Sequence, residues 1–104
     1  MRILFDQGTP RALRRYLGPH EIKTAVQMEW SELDNGDLLQ AAETAFDVLI
    51  TTDKNIRYQQ NLLGRRLAIV VLPQPTWHVV RIHADNILQA VNSIKPGEYL
   101  ELRW

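Results

Sequence analysis

Two continuously apolar runs limit the folds open to this chain more than any other feature of its sequence. Asp47–Thr51 is apolar between its end residues, and Leu67–Leu72 is apolar throughout. Short apolar runs without alternation are typical of strands that are buried on both faces of a parallel sheet. Helices must then cover both faces of that sheet, because parallel strands are joined by crossover connections.

Three further strands and several helices are predicted around these two runs. The further strands are Arg2–Phe5, Glu21–Val26 and, at an edge of the sheet, Glu98–Leu102. The predicted helical segments are a helix with Thr9 as N-cap and Pro10 as its first residue, a short helix or turn at Gln27–Leu33, a helix from the Asp34–Asp37 break through Ala45, a helix at Ile56–Leu63 capped by Gly64, and a helix at Trp77–Ser93. This alternation predicts an α/β fold, namely a three-layer α/β/α sandwich with a mostly parallel sheet of four to five strands.

The length and composition are those of one globular domain. At 104 residues the chain is long enough for one hydrophobic core, so residues 1–104 are expected to form a single domain. Apolar residues make up 45% of the sequence and charged residues 23%, as is usual for soluble proteins. The absence of cysteine excludes disulfides, thiolate nucleophiles and cysteine-based zinc or iron–sulfur sites. No apolar run is long enough for a signal peptide or a membrane span, so a cytoplasmic location without membrane contact is expected.

The charges cancel in total but are separated along the chain. Twelve Lys and Arg residues balance twelve Asp and Glu residues. The segment between Lys23 and Lys54 contains only acidic charges, whereas the segment from Lys54 to Ala84 contains only basic ones. This separation suits a site that holds a cation with carboxylates and a phosphate backbone with arginines, although patchy surface charge also arises by chance.

Asp6 and Asp53 are the strongest candidates for a functional site. Each follows the end of a predicted strand, and sites in open parallel sheets gather beyond the carboxyl ends of the strands. Asp37 lies near the start of a helix that begins at the same edge, so it could supply a third carboxylate. Three carboxylates repel one another unless a cation lies among them, and Mg²⁺ or Mn²⁺ prefers such oxygen ligands. An ion of this kind could activate water and neutralise the charge of a scissile phosphate.

Each of these aspartates also has a purely structural interpretation. Asp6 could be a turn residue, Asp53 could cap the following helix, and Asp37 could interact favourably with the positive end of its helix dipole. Other chemistries find no support in the sequence. The three histidines lack the spacing of metal ligands, and neither a phosphate-binding glycine motif nor a nucleophile elbow is present.

Four segments of the chain together resemble a PIN-like family of small prokaryotic proteins. They are MRILFDQGTPRALRRYL, NGDLLQAAE, DVLITTDKN and LAIVVLP, and the resemblance covers nearly the whole chain. Such families carry acidic motifs after the first strand and after a later strand, and an acid that opens a middle helix. The matching positions are Asp6, Asp53 and Asp37, whereas Gln7 and Asn55 stand where further acids are frequent. The resemblance implies a reduced PIN-domain sandwich, metal-dependent ribonuclease activity and, often, a toxin–antitoxin pair whose antitoxin blocks the acidic site.

The leading hypothesis is therefore an endoribonuclease that depends on Mg²⁺ or Mn²⁺. The metal ligands and catalytic carboxylates would be Asp6, Asp37 and Asp53, and Asn55 would help to orient ligand or water. RNA would be bound by Thr52, Lys54, Arg57, Arg65 and Arg66.

Two alternatives compete with the nuclease hypothesis. One is a non-catalytic module that keeps the fold and binds RNA or a partner protein, and Gln7 and Asn55 favour it because amides supply no negative charge and cannot act as general bases. The other is a phosphoacceptor receiver domain, which the chain disfavours because no lysine follows the strand that ends at Leu72. The sequence leaves open whether apolar residues near Trp77 or Trp104 form a homodimer interface.

Overall fold

Five strands form one sheet in the computed structural model, which describes residues 1–56 and 64–104. The strands are β1 (Arg2–Phe5), β2 (Glu21–Thr24), β3 (Val48–Thr51), β4 (Ala68–Val71) and β5 (Tyr99–Glu101), in the spatial order β2-β1-β3-β4-β5. Every pair of neighbouring strands is parallel. The predicted α/β fold is confirmed, and the sheet is parallel throughout rather than mostly parallel.

The two apolar runs of the sequence form adjacent strands, as their composition predicts. In the register of β3 and β4, Val48 lies opposite Ala68 and Thr51 lies opposite Val71. All residues of both strands are buried, which requires side chains on both faces of the sheet. At one edge, β2 alternates exposed and buried residues, and at the other edge lies β5, where the short C-terminal strand was predicted.

Three α-helices and two 3₁₀ helices lie within the described residues. The α-helices are α1 (Asn35–Ala45), α2 (Trp77–Val80) and α3 (Ala84–Ser93), and the 3₁₀ helices are Arg11–Tyr16 and Arg81–His83. The start of α1 is stabilised by Asp34, whose carboxylate accepts a hydrogen bond of 2.8 Å from the Asp37 backbone N–H. This is the usual role of aspartate at an N-cap. The Gln27–Leu33 segment forms turns.

Two helix predictions need correction. Thr9 does not cap the helix that follows it, because its hydroxyl donates instead to the carbonyl of Ile50 at 2.8 Å, and Pro10 occupies the N-cap position of a 3₁₀ helix. The Trp77–Ser93 segment is not one continuous α-helix, because the 3₁₀ helix at Arg81–His83 separates α2 from α3. The helix predicted at Ile56–Leu63 lies almost entirely outside the described residues.

Apolar side chains pack against both faces of the sheet. Successive residues of β1 point to opposite sides, as strand geometry requires: Ile3 and Phe5 belong to a cluster that includes residues of α3, and Leu4 belongs to a second cluster that includes residues of α1. Burying one such aliphatic or aromatic side chain contributes about 1.5–3 kcal/mol. Helices therefore cover the two faces, in an arrangement compatible with a three-layer sandwich.

The parallel sheet gives the molecule two chemically different edges. The carboxyl edge, which we define as the side where the strands end, carries the segments that follow Phe5, Thr24 and Thr51. The amino edge carries the segments that precede the strands. No helix among residues 1–56 and 64–104 is long and apolar enough to cross a membrane.

Candidate functional site

The carboxyl edge brings Asp6 and Asp53 together. The strands β1 and β3 are neighbours in register, with Phe5 opposite Ile50. Asp6 continues this pairing, because its backbone N–H donates to the Ile50 carbonyl at 2.9 Å. Asp53 lies two residues beyond the end of β3. The prediction that both carboxylates lie at the same edge of the sheet is therefore correct.

The Thr51 hydroxyl links the two aspartates. It donates to Oδ2 of Asp6 at 2.8 Å and accepts the backbone N–H of Asp53 at 3.1 Å. Thr51 is fully buried, so the surrounding core holds its hydroxyl in place. The other oxygen of Asp6, Oδ1, accepts the backbone N–H of Gln7 at 2.8 Å. One buried side chain thus fixes the positions of both acidic residues.

The Asp53 carboxylate is held by two neutral donors of its own. The side-chain amide of Asn35 donates to Oδ2 at 2.8 Å, and the backbone N–H of Asn55 donates to Oδ1 at 2.9 Å. Asn35 is the first residue of α1, which runs back along the sheet and therefore begins at the carboxyl edge. The helix start and the end of β3 are joined by this contact.

Neither carboxylate has a cationic partner among the described residues. The ion pairs in that part of the chain are Arg2 with Glu21 and Arg66 with Glu43. Asp6 and Asp53 are both partly exposed, and their four carboxylate oxygens all accept hydrogen bonds from neutral groups. The hydrogen bonds fix the orientation of the two groups, and no cation within residues 1–56 or 64–104 forms an ion pair with either of them.

An open cleft of about 310 Å³ lies beside the two carboxylates. Its lining includes Asp6, Gln7, Asn35, Thr52 and Asp53, with Trp30 on its apolar side. Trp30 also packs edge-on against Phe46, with ring centroids 6.0 Å apart, so its ring is fixed by the core beneath it. We call this space the acidic cleft. Its volume is that of a site for one small molecule.

The remaining acid of the predicted site, Asp37, does not line the acidic cleft. It is exposed in the first turn of α1, and its backbone N–H is bonded to the N-cap Asp34. Within residues 1–56 and 64–104, no group of three or more His, Asp or Glu side chains is arranged to hold a metal ion. The structure thus brings together two of the three predicted carboxylates.

The predicted RNA-binding residues fall in different places. Thr52 lines the acidic cleft, and Lys54 is exposed in the turn that follows Asp53. Asn55, which was predicted to orient ligand or water, is exposed in the same turn and does not line the acidic cleft. Arg65 and Arg66 precede β4 and therefore lie at the amino edge, across the sheet from the aspartates. Arg66 lines a separate cleft there. Arg57 lies outside the described residues.

Two residues of the site were not singled out from the sequence. Thr51 belongs to β3, and its role depends on a contact with Asp6 that is 45 residues away in the chain. Asn35 was assigned to a break before α1, whereas it is the first residue of that helix and reaches Asp53. A polar residue at the last position of an otherwise apolar buried strand is a signal that could have identified Thr51.

Comparisons of the chain with family models, curated proteins and solved structures found no match. The fold and the site define an α/β protein with an open parallel sheet and two carboxylates at its carboxyl edge that form no ion pair with the described residues. This edge is the usual position of binding and catalytic sites in such sheets. A functional interpretation therefore depends on the geometry of that edge and on the residues that the sequence places there.

Proposed function

We propose that this chain is a divalent-metal-dependent endoribonuclease of PIN-like type, with its active site in the acidic cleft. The observation that carries this proposal is the meeting of Asp6 and Asp53 at one cleft with no cationic partner among the described residues. Two fixed negative charges beside open solvent attract a cation. The resemblance of the sequence to PIN-like proteins supports the choice of RNA as substrate and of an antitoxin as partner.

The residues that line the acidic cleft fit a hard divalent ion. Mg²⁺ keeps several waters and is often bound through one or two carboxylates and the phosphates of the substrate, so Asp6 and Asp53 are enough. Each of their oxygens accepts one protein hydrogen bond and retains capacity for a further interaction. The amide oxygen of Gln7 offers an additional neutral ligand of the same hard type. Asp37 is not needed in this ligand set.

The chemistry in this proposal divides between the ion and the chain. A bound Mg²⁺ or Mn²⁺ would lower the pKa of a water molecule and neutralise charge on the scissile phosphate. Thr51 and Asn35 would hold the two carboxylates in a fixed geometry, which avoids reorganisation when the substrate binds. Lys54, which is exposed beside Asp53, would attract the phosphate backbone.

Cleavage of a labelled RNA by the purified protein with added Mn²⁺ tests the proposal. Substituting Asp6→Asn or Asp53→Asn should reduce the rate of cleavage by about 100-fold or more. Loss of a residue that only supports a metal ligand typically costs about 10–100-fold, and loss of a ligand itself should cost at least as much as the upper end of that range. Asp37→Asn should have a smaller effect, because Asp37 does not line the cleft. A matched control is Asp85→Asn, which changes an exposed acid in the first turn of α3.

Cleavage without added metal would contradict this proposal, as would full activity in the Asp6→Asn and Asp53→Asn variants. Thermal melting of each variant is required, since the loss of either carboxylate removes hydrogen bonds that hold the edge of the sheet together. Activity lost in a variant that melts like the wild-type protein is the supporting result.

A second candidate function is a module that binds RNA or a partner protein without catalysis. It is favoured by the finding that all four oxygens of Asp6 and Asp53 already accept hydrogen bonds from neutral donors. Such an acidic pair can be stable with no metal. Calorimetric titration with Mn²⁺ distinguishes the two functions. The nuclease requires that Mn²⁺ binds to the wild-type protein and not to the Asp6→Asn variant, whereas the binding module has no such requirement.

A further inference from the structure

A second cleft continues the acidic cleft along the carboxyl edge. It has a volume of about 390 Å³ and shares Asp6, Gln7, Gly8 and Ala25 with the acidic cleft. From this shared wall it extends past the end of β2 to the 3₁₀ helix, where Arg11 lines it. The two clefts are therefore neighbours at the ends of β3, β1 and β2, and Asp6 lies on the wall that they share.

The two clefts differ in charge. The acidic cleft is lined by two carboxylates, whereas the second cleft has Arg11 at its far end and is lined by no acid except the shared Asp6. No Asp or Glu occurs in the sequence between Asp6 and Glu21. We call this second cleft the basic cleft.

Arg11 is available to a ligand. It is exposed, and it forms no ion pair or side-chain hydrogen bond with residues 1–56 or 64–104. Arg14 of the same 3₁₀ helix differs, because its guanidinium donates to the Ile22 carbonyl at 3.2 Å and so helps to attach the helix to β2. The other charged residue of the basic cleft, Asp6, lies on the wall shared with the acidic cleft. The exposed guanidinium of Arg11 is suited to a phosphate, which it can bind through two parallel hydrogen bonds.

We infer that the basic cleft is a phosphate subsite, in which Arg11 binds a backbone phosphate of the nucleotide next to the one at Asp6 and Asp53. This inference rests on the proposed function and assigns a direction to the substrate: the RNA strand runs from the acidic cleft across β1 toward β2. Gly8 lies on the wall between the two clefts. The predicted basic residues at the amino edge, Arg65 and Arg66, take no part in this path.

Binding of RNA to a cleavage-deficient background tests the subsite separately from catalysis. The background is Asp53→Asn, because Asp53 does not line the basic cleft. The probe is a fluorescein-labelled single-stranded RNA of about 12 nucleotides, within the length range that single-strand sites cover. Adding Arg11→Gln should weaken binding about fivefold and should reduce the slope of log K against log salt by about 0.7, the value for one lost phosphate contact on a single strand.

The matched control is Arg15→Gln, which removes the same charge from the same 3₁₀ helix at an exposed position that does not line either cleft. It should change the affinity by less than about twofold, because screening limits the effect of a charge that touches no phosphate. Equal losses in the two variants, or no loss with Arg11→Gln, would overturn the subsite.

The two proposals can fail independently in this design. If the wild-type protein cleaves RNA with Mn²⁺ while Arg11→Gln and Arg15→Gln bind alike, the nuclease stands and the subsite is wrong. If no cleavage occurs and Arg11→Gln still weakens binding selectively, the subsite stands as part of a binding module and the nuclease is wrong. An RNA that fails to bind to the background protein at all would overturn the subsite directly.

Discussion

Removing the Thr51 hydroxyl should destabilise the protein by about 2 kcal/mol, even though the replacement by valine keeps the volume of the side chain. Thr51→Val removes a hydrogen bond of 2.8 Å to the Asp6 carboxylate and one of 3.1 Å from the Asp53 N–H. A hydrogen bond to a charged group contributes about 1.5–3 kcal/mol and a neutral one about 0.5–1.5 kcal/mol. Because Asp6 is partly exposed and can gain a water molecule, we take the lower end of each range and add the two values.

Thermal melting followed by circular dichroism measures this effect. A loss of about 2 kcal/mol corresponds to a fall in Tm of about 8–16 °C for a domain of this size. Thr51→Ser is the matched control, because it keeps the hydroxyl and removes only a methyl group, at a cost of about 1 kcal/mol. A valine variant at least as stable as the serine variant would refute the reasoning, since the hydroxyl would then contribute nothing to the edge of the sheet.

Three further substitutions test other parts of the structure. Gly8→Ala should destabilise the protein by about 1–3 kcal/mol, measured by urea denaturation, because a Cβ at that position would clash with Oγ1 of Thr52. Glu43→Ala should cost about 2 kcal/mol in the same assay and Glu43→Gln about half as much, because this carboxylate accepts two backbone N–H groups before β4, at 2.6 and 2.9 Å. Gln7→Glu should bind Mn²⁺ about fivefold more tightly in calorimetry, since it adds a negative charge to the lining of the acidic cleft. Asn55→Asp is its control, and an equal gain there would contradict the assignment, because Asn55 does not line that cleft.

The parts of the fold that depend on local sequence patterns could be predicted. The central strands β3 and β4 follow from two apolar runs, and the position of Asp6 beside Asp53 follows from the rule that parallel strands end at one edge. The start of α1 could also be placed within a few residues, because Asp34 is a good N-cap. These features need no knowledge of contacts between distant segments.

The parts that depend on distant contacts could not be predicted. Thr9 has the local chemistry of an N-cap, but its hydroxyl bonds to Ile50, which is 41 residues away in the chain. The basic charges at Arg65 and Arg66 follow the acidic segment in the sequence, yet they lie at the opposite edge because they precede β4. The order of charges along the sequence is therefore not enough to predict that two charged residues share a site. The edge of the sheet at which each residue lies must also be predicted.

The way in which the protein treats its carboxylates bears on the choice between a nuclease and a binding module. Glu21 and Glu43 lie near arginines, at 3.8 Å in each case, so their charges are partly compensated. Asp6 and Asp53 receive only neutral donors within the described residues. Neutral donors stabilise and orient a carboxylate, and they leave its negative charge available to a cation. A cation-binding role makes use of that charge, whereas a surface that only binds RNA would be weakened by two negative charges that no cation of the described residues compensates.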